Sequence, residues 1–176
     1  MSLEILMESI PQYAKDVRIN LGNVLKQTEL TPTQLWGTAV ACAVTTRTPA
    51  VIRAIEAEAL QNVDEQTVSA AKTAAAVMAM NNVWYRFLHL TNNDKYQSTP
   101  ARLRMQTLRT HGADHTDFEL WCTAVSAINN CPACVAAHEK TVREKGLTEE
   151  HVAASLRIAA VIEATATAIA EESARL

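Results

Sequence analysis

Apolar residues recur at helical spacing along almost the whole chain, and the polar positions between them carry helix start and stop signals. Thr31 and Pro32 suit the cap and first position of a helix running through Trp36 and Val44. Thr48-Pro49 starts another that reaches about Leu60, and residues 65–90 read as one long helix or two abutting ones. The polar stretch TNNDKYQSTP, 91–100, is the clearest loop. A helix from about Thr116 to Asn129 follows, and then one from Asn130, as its cap, to Lys145. Gly146 supplies a left-handed stop, and Thr148 with Glu149 and Glu150 opens the last helix. The pattern predicts an all-α fold.

Displacing the sequence by 85 residues lays it on itself. Leu35-Trp36-x-Thr38-Ala39-Val40 meets Leu120-Trp121-x-Thr123-Ala124-Val125, and the same displacement aligns Glu65 with Glu150 and Lys72 with Arg157. A match that includes tryptophan, at an offset shared by a second match, points to duplication. The expectation is a single domain over 1–176 made of two helical units, about 20–91 and about 100–176.

Composition agrees with long helices. Of 176 residues, 48% are hydrophobic but 5% are aromatic, and there are 4 Gly and 5 Pro, too few for many chain reversals. A net charge of −3 without a basic stripe argues against nucleic-acid binding. No glycine-rich phosphate loop appears, so no bound NAD or flavin is expected. The start carries Glu4 and Glu8 in place of a basic leader, and the longest apolar stretches are interrupted by Lys72 and Glu163. A cytoplasmic protein without a membrane span is therefore expected.

The duplication shows where the chemistry lies. The positions of Cys131, Cys134, His138 and Glu119 correspond to Thr46, Pro49, Arg53 and Gln34 in the first unit. The scaffold repeats and the reactive residues do not, so folding does not require them. Asn130 and Pro132 place Cys131 at a helix start, where the positive end of the helix favours a thiolate. Cys134 is one turn on, within disulfide reach, and His138 is four residues beyond it on the same face. Glu119 precedes the reversal at Asn129-Asn130 by about as much as His138 follows it, so an antiparallel helix pair brings them to similar height. A carboxylate there orients the imidazole, and the imidazole takes the thiol proton, in a relay Glu119–His138–Cys134. Spacing alone leaves open which sulfur attacks first. The neighbours favour Cys134 as the thiolate that becomes a sulfenic acid, with Cys131 as proton donor and resolving thiol.

Plainer readings stand beside these. The four residues could ligate one metal, although a zinc half-site normally has a second cysteine pair. Cys42 and Cys122 lie on apolar stretches and read as small core residues. His89, His111, His115 and His151 read as surface or capping groups, Trp36 and Trp121 as packing, and the run 74–80 as a core or interface stripe. Tyr85 and Arg86 border either the site or the core, packing being the plainer reading.

The pattern Glu119, eleven residues, Cys131-x-x-Cys134, three residues, His138 resembles the alkyl hydroperoxidase D (AhpD) family of the carboxymuconolactone decarboxylase-like superfamily. The segments ELW at 119–121, AVSAIN at 124–129, MNNVWYR at 80–86 and PQYAKD at 11–16 carry the likeness over nearly the whole chain. The resemblance implies an AhpD-like fold of duplicated helical units, commonly trimeric, and a response to oxidative stress through reduction of alkyl hydroperoxides. It implies dihydrolipoyl groups as electron donor, no bound cofactor or metal, and re-reduction of an AhpC-type peroxiredoxin through a mixed disulfide. By position it assigns the site to Glu119, Cys131, Cys134 and His138. A redox adaptor with little peroxidase activity of its own, and a metal-binding protein, are the alternatives. Members commonly carry His just before the second cysteine; here that position is Ala133, so an altered redox potential and weaker activity are expected.

Overall fold

A computed structural model describes residues 1–91 and 93–174. Among these the chain forms helices and turns without a strand: α1 Leu3–Glu8, α2 Lys15–Val24, α3 Pro32–Thr46, α4 Pro49–Ala59, α5 Glu65–Thr91, the single turn α6 Asp94–Gln97, α7 His115–Ile128, α8 Pro132–Glu144 and α9 Glu149–Ser173. The 65–90 stretch is one continuous helix. The expected loop at 91–100 contains α6, capped by the Asn93 side chain; Asn92 lies outside the described residues.

Helices α3 and α7 form the centre. Residues 34–43 of α3 are all buried, as are Phe118 and residues 120–126 of α7. Buried helix stretches must be largely apolar, and the buried polar residues Thr38 and Thr123 bond back to the carbonyls of Gln34 and Glu119 in their own helices. They cross closely because Gly37 has no side chain: a Cβ there would lie 2.1 Å from Cε2 of Trp121. Both Trp36 and Trp121 are buried core residues, as are Cys42 and Cys122. Burial pushes both of these thiols well above the usual range and keeps them protonated.

Helix α9 packs on α2, α3, α4 and α7. It is long and apolar enough to cross a membrane by length and composition, but 56% of its most apolar window is buried inside the protein. Its composition follows from that packing. Shifted by 85 residues, α3, α4 and α5 fall at 117–131, 134–144 and 150–176, which overlap α7, α8 and α9.

The helix ends follow their local chemistry. Thr31 and Gln34 form a reciprocal capping box on α3, and Thr148 and His151 form one on α9. Helix α8 ends in a Schellman motif, with Gly146 at φ 98° and the Leu147 amide donating to Val142 O at 3.1 Å.

Candidate active site

The site is built on the antiparallel pair α7–α8, with α5 laid across it. The turn between them corrects one expectation. Asn130 is not the cap of α8: it has φ 53° and is the left-handed residue after α7. Its amide donates to Ala127 O at 3.1 Å, and the Cys131 amide donates to Ser126 O at 3.1 Å, a second Schellman motif. Asparagine tolerates that conformation almost as glycine does. Cys131 itself is the N-cap of α8, with Pro132 in the first turn. It thus closes one helix and opens the next. Its place at the start of α8 is the expected one.

Side chains of α5 lock this turn. Asn82 Nδ2 donates to Ser126 Oγ at 3.0 Å, Asn129 Nδ2 donates to Asn82 Oδ1 at 2.9 Å, and Arg86 Nη1 donates to Asn129 O at 2.7 Å. Arg86 therefore holds the turn in front of Cys131 and is not simple packing.

Cys131 and Cys134 are joined as a disulfide, with Cα atoms 5.3 Å apart. Both are buried. Cys134 lines a cavity of about 280 Å³ together with His138, Asn81, Tyr85, Ala133 and Leu108. Cys131 borders a different, more open groove together with Pro132 and Glu139. His138 Nδ1 lies 2.6 Å from Glu119 Oε2, and both side chains are mostly buried. An ionised carboxylate can only accept, so Nδ1 carries the hydrogen and Nε2 is left as the basic nitrogen. His138 and Cys134 share the cavity; no hydrogen bond joins them among the described residues.

His115 is exposed, as expected of a surface group, and lies at the edge of the site. Asp114 is the cap of α7, and His115 Nε2 lies 3.9 Å from Glu119 Oε1, so the carboxylate has one imidazole on each oxygen. His111 stacks on Phe118 with ring centroids 3.8 Å apart, and burial, followed by the nearby His115, lowers its pKa. His89 is exposed near the end of α5, and His151 serves the α9 cap. Among the described residues, no three His, Cys, Asp or Glu side chains converge as a metal-binding set. Glu119 and His138 satisfy each other, and the sulfurs are bonded to each other.

The sequence is 53% identical to an alkyl hydroperoxide reductase AhpD from Solibacter usitatus over 98% of each chain. The chain belongs to the AhpD family. Further AhpD relatives come from Acidobacterium capsulatum, 52% identical over 93% of this chain and 90% of the relative, and from Rhodospirillum centenum, 48% identical over 99% and 94%. Residues 94–172, from α6 into α9, also match the carboxymuconolactone decarboxylase family. The AhpD relatives match the first half of the chain as well, including α5. That helix lends the cavity Asn81 and Tyr85, both within the MNNVWYR segment. One unit later, Asn81 and Asn82 correspond to Ala166 and Thr167.

Proposed function

We propose that this chain is an antioxidant thiol peroxidase that reduces alkyl hydroperoxides by cycling Cys131 and Cys134 between dithiol and disulfide. The observation that carries this reading is the bonded sulfur pair with Cys134 lining a cavity beside His138, itself tied to Glu119. The relatives are alkyl hydroperoxide reductases by name, which supports the same substrate class.

In the reduced state His138, oriented by Glu119, takes the Cys134 proton. A free thiol with a pKa of about 8.5 is only a few per cent ionised at neutral pH, so the base matters. The thiolate attacks the terminal oxygen of ROOH: an S–O bond forms, the O–O bond breaks, and RO⁻ leaves as ROH with a proton from Cys131. Cys131 then attacks the sulfenic acid, the S–S bond forms and water departs. A dithiol returns two electrons and two protons through exchange at the disulfide. Dihydrolipoyl groups, presented on a lipoyl-bearing protein, are the donor in this proposal. An AhpC-type peroxiredoxin is a further electron acceptor, reached through a mixed disulfide. We infer likewise a cytoplasmic homotrimer, each chain one domain of two duplicated units.

The test is peroxide consumption driven by dihydrolipoamide, compared with thioredoxin and glutathione, in wild type and Cys134→Ser. Turnover with dihydrolipoamide that is lost in the variant is expected. Equal consumption by the variant would overturn the reading. Turnover only when a peroxiredoxin is added would make the protein a redox adaptor.

A further inference from the structure

Helices α3 and α7 are each followed by a left-handed residue, Arg47 at φ 59° and Asn130 at φ 53°, and both line one polar pocket of about 240 Å³ with Asn82, Arg86 and Asn129. Asparagine and glycine take that conformation at least cost, so an arginine there is retained for its side chain. Arg86 has a structural task, donating one N–H to Asn129 O at 2.7 Å. The exposed Arg47 side chain has none: it makes no hydrogen bond or ion pair among the described residues. No Asp or Glu lines the pocket. The ends of α3 and α7 bring about half a negative charge each, which two guanidinium groups exceed by about one charge. The repeated scaffold does not require cations here: the corresponding residues one unit later are Pro132 and Glu171. The pocket adjoins the redox centre, because Asn130 borders both it and the groove of Cys131. Arg86 holds the carbonyl of Asn129, two residues before Cys131, so at about 3.8 Å per residue the pocket lies within roughly 10 Å of the disulfide.

We propose that Arg47 and Arg86 form a carboxylate-binding site for the dithiol that reduces the Cys131–Cys134 disulfide. This deepens the reduction half of the proposed cycle and rests on it. Guanidinium groups present planar N–H donors that match the two oxygens of a carboxylate. Free dihydrolipoate carries a carboxylate about five bonds from its nearer thiol-bearing carbon, roughly the length of two residues of chain. That is the separation of pocket and disulfide. A lipoyl-lysine has lost this group to its amide, and an acidic side chain beside the lysine then supplies it. Glu139 repels a negative group from the groove itself, which leaves the pocket as its place. With the carboxylate held, one donor thiolate attacks the protein disulfide: a mixed disulfide forms and one cysteine leaves as thiolate. The second donor thiolate closes the dithiolane and releases the other cysteine, so two electrons and two protons pass to the protein. The oxidation half of the cycle takes place at Cys134, which lines the other cavity, and makes no use of the pocket.

The test sets neutral against anionic donors on the same disulfide protein and follows dithiolane formation by absorbance. One arm compares dihydrolipoate with dihydrolipoamide; the other compares dihydrolipoyl-lysine peptides with Asp or with Asn beside the lysine. Wild type is expected to react about tenfold faster with the anionic donor, as for one charge-assisted contact, and the ratio should shrink with added salt. Arg47→Gln should bring the ratio to about one by slowing the anionic donor alone, and Arg47→Lys, which keeps the charge without the fork, should restore part of it. Arg86 is left intact because it also fastens the turn before Cys131. An Arg47-dependent advantage in the peptide arm alone assigns the carboxylate to the carrier; one in the dihydrolipoate arm assigns it to the dithiol itself. No such advantage in either arm, or equal slowing of neutral and anionic donors by Arg47→Gln, would overturn the assignment. Thiol loss with tert-butyl hydroperoxide is measured beside it: wild-type protein that exchanges with the donors yet fails to react with peroxide would remove the peroxidase reading and leave the carboxylate site standing.

Discussion

The hairpins α3–α4 and α7–α8 lie 85 residues apart and differ by a shift of their helix ends. In the first, the counterparts of Cys131 and Cys134 are Thr46, the last residue of α3, and Pro49, the first of α4, so they lie on opposite sides of the turn. In the second, α7 stops at Ile128 and α8 begins at Pro132, so both positions fall at the start of one helix and their sulfurs meet. The carboxylate shows the same effect. Gln34 is consumed by the capping box of α3 and by donating to Asp117 Oδ1 at 2.9 Å. Helix α7 begins two residues before the matching point, with Asp114 as its cap, so Glu119 is free of the terminus and reaches His138. The ends of α7 and α8 are displaced by two or three residues from those of α3 and α4 at an offset of 85, and with them Cys131 and Cys134 come together.

The comparison predicts that matched positions report in different measurements. Glu119→Gln should lower peroxide turnover about 100-fold, the range for a disabled general base, with little change in Tm. Activity within twofold of wild type would refute the relay. Gly37→Ala drives a methyl into the Trp121 indole and should cost about 3 kcal/mol by denaturant titration, whereas Cys122→Ala, the matched position, should cost about 1 kcal/mol. Asn82→Ala leaves Ser126 and Asn129 unpaired and should cost about 2 kcal/mol while slowing both halves of the cycle. Gln34→Ala should cost about 1 kcal/mol of stability, seen as a lower Tm, and leave turnover unchanged. Smallest of all, Cys42 and Cys122 should contribute nothing to activity. With burial holding both thiols protonated, a thiol reagent at neutral pH should titrate two groups in native reduced protein and four only after denaturation.

Much of this was legible in the chain because it is written in short-range signals. Thr31-Pro32, Thr48-Pro49, Gly146 and Thr148 each mark a helix end through their own backbone preferences, and the spacing from Glu119 to His138 is a consequence of helical rise. Asn130 was misread because asparagine suits a helix cap and a left-handed stop equally well; the shortness of the connection decides between them. Helices α1 and α2 were not delimited, since α1 buries only Leu6 and α2 only Leu21 and Val24, which is too sparse a pattern to stand out. Asn81, Met105 and Leu108 reach the cavity through tertiary packing, to which periodicity within one helix is blind.

Arg86 and Asn82 fasten the connection ahead of Cys131 from a helix that precedes it by some forty residues in sequence. The peptide carrying the thiols therefore has no independent route to opening: to fray, it must first shed bonds to α5, which is buried against α3 and α7. Deuterium uptake at the Asn130 and Cys131 amides should be as slow as in the protein's centre, even though these groups belong to a surface reversal.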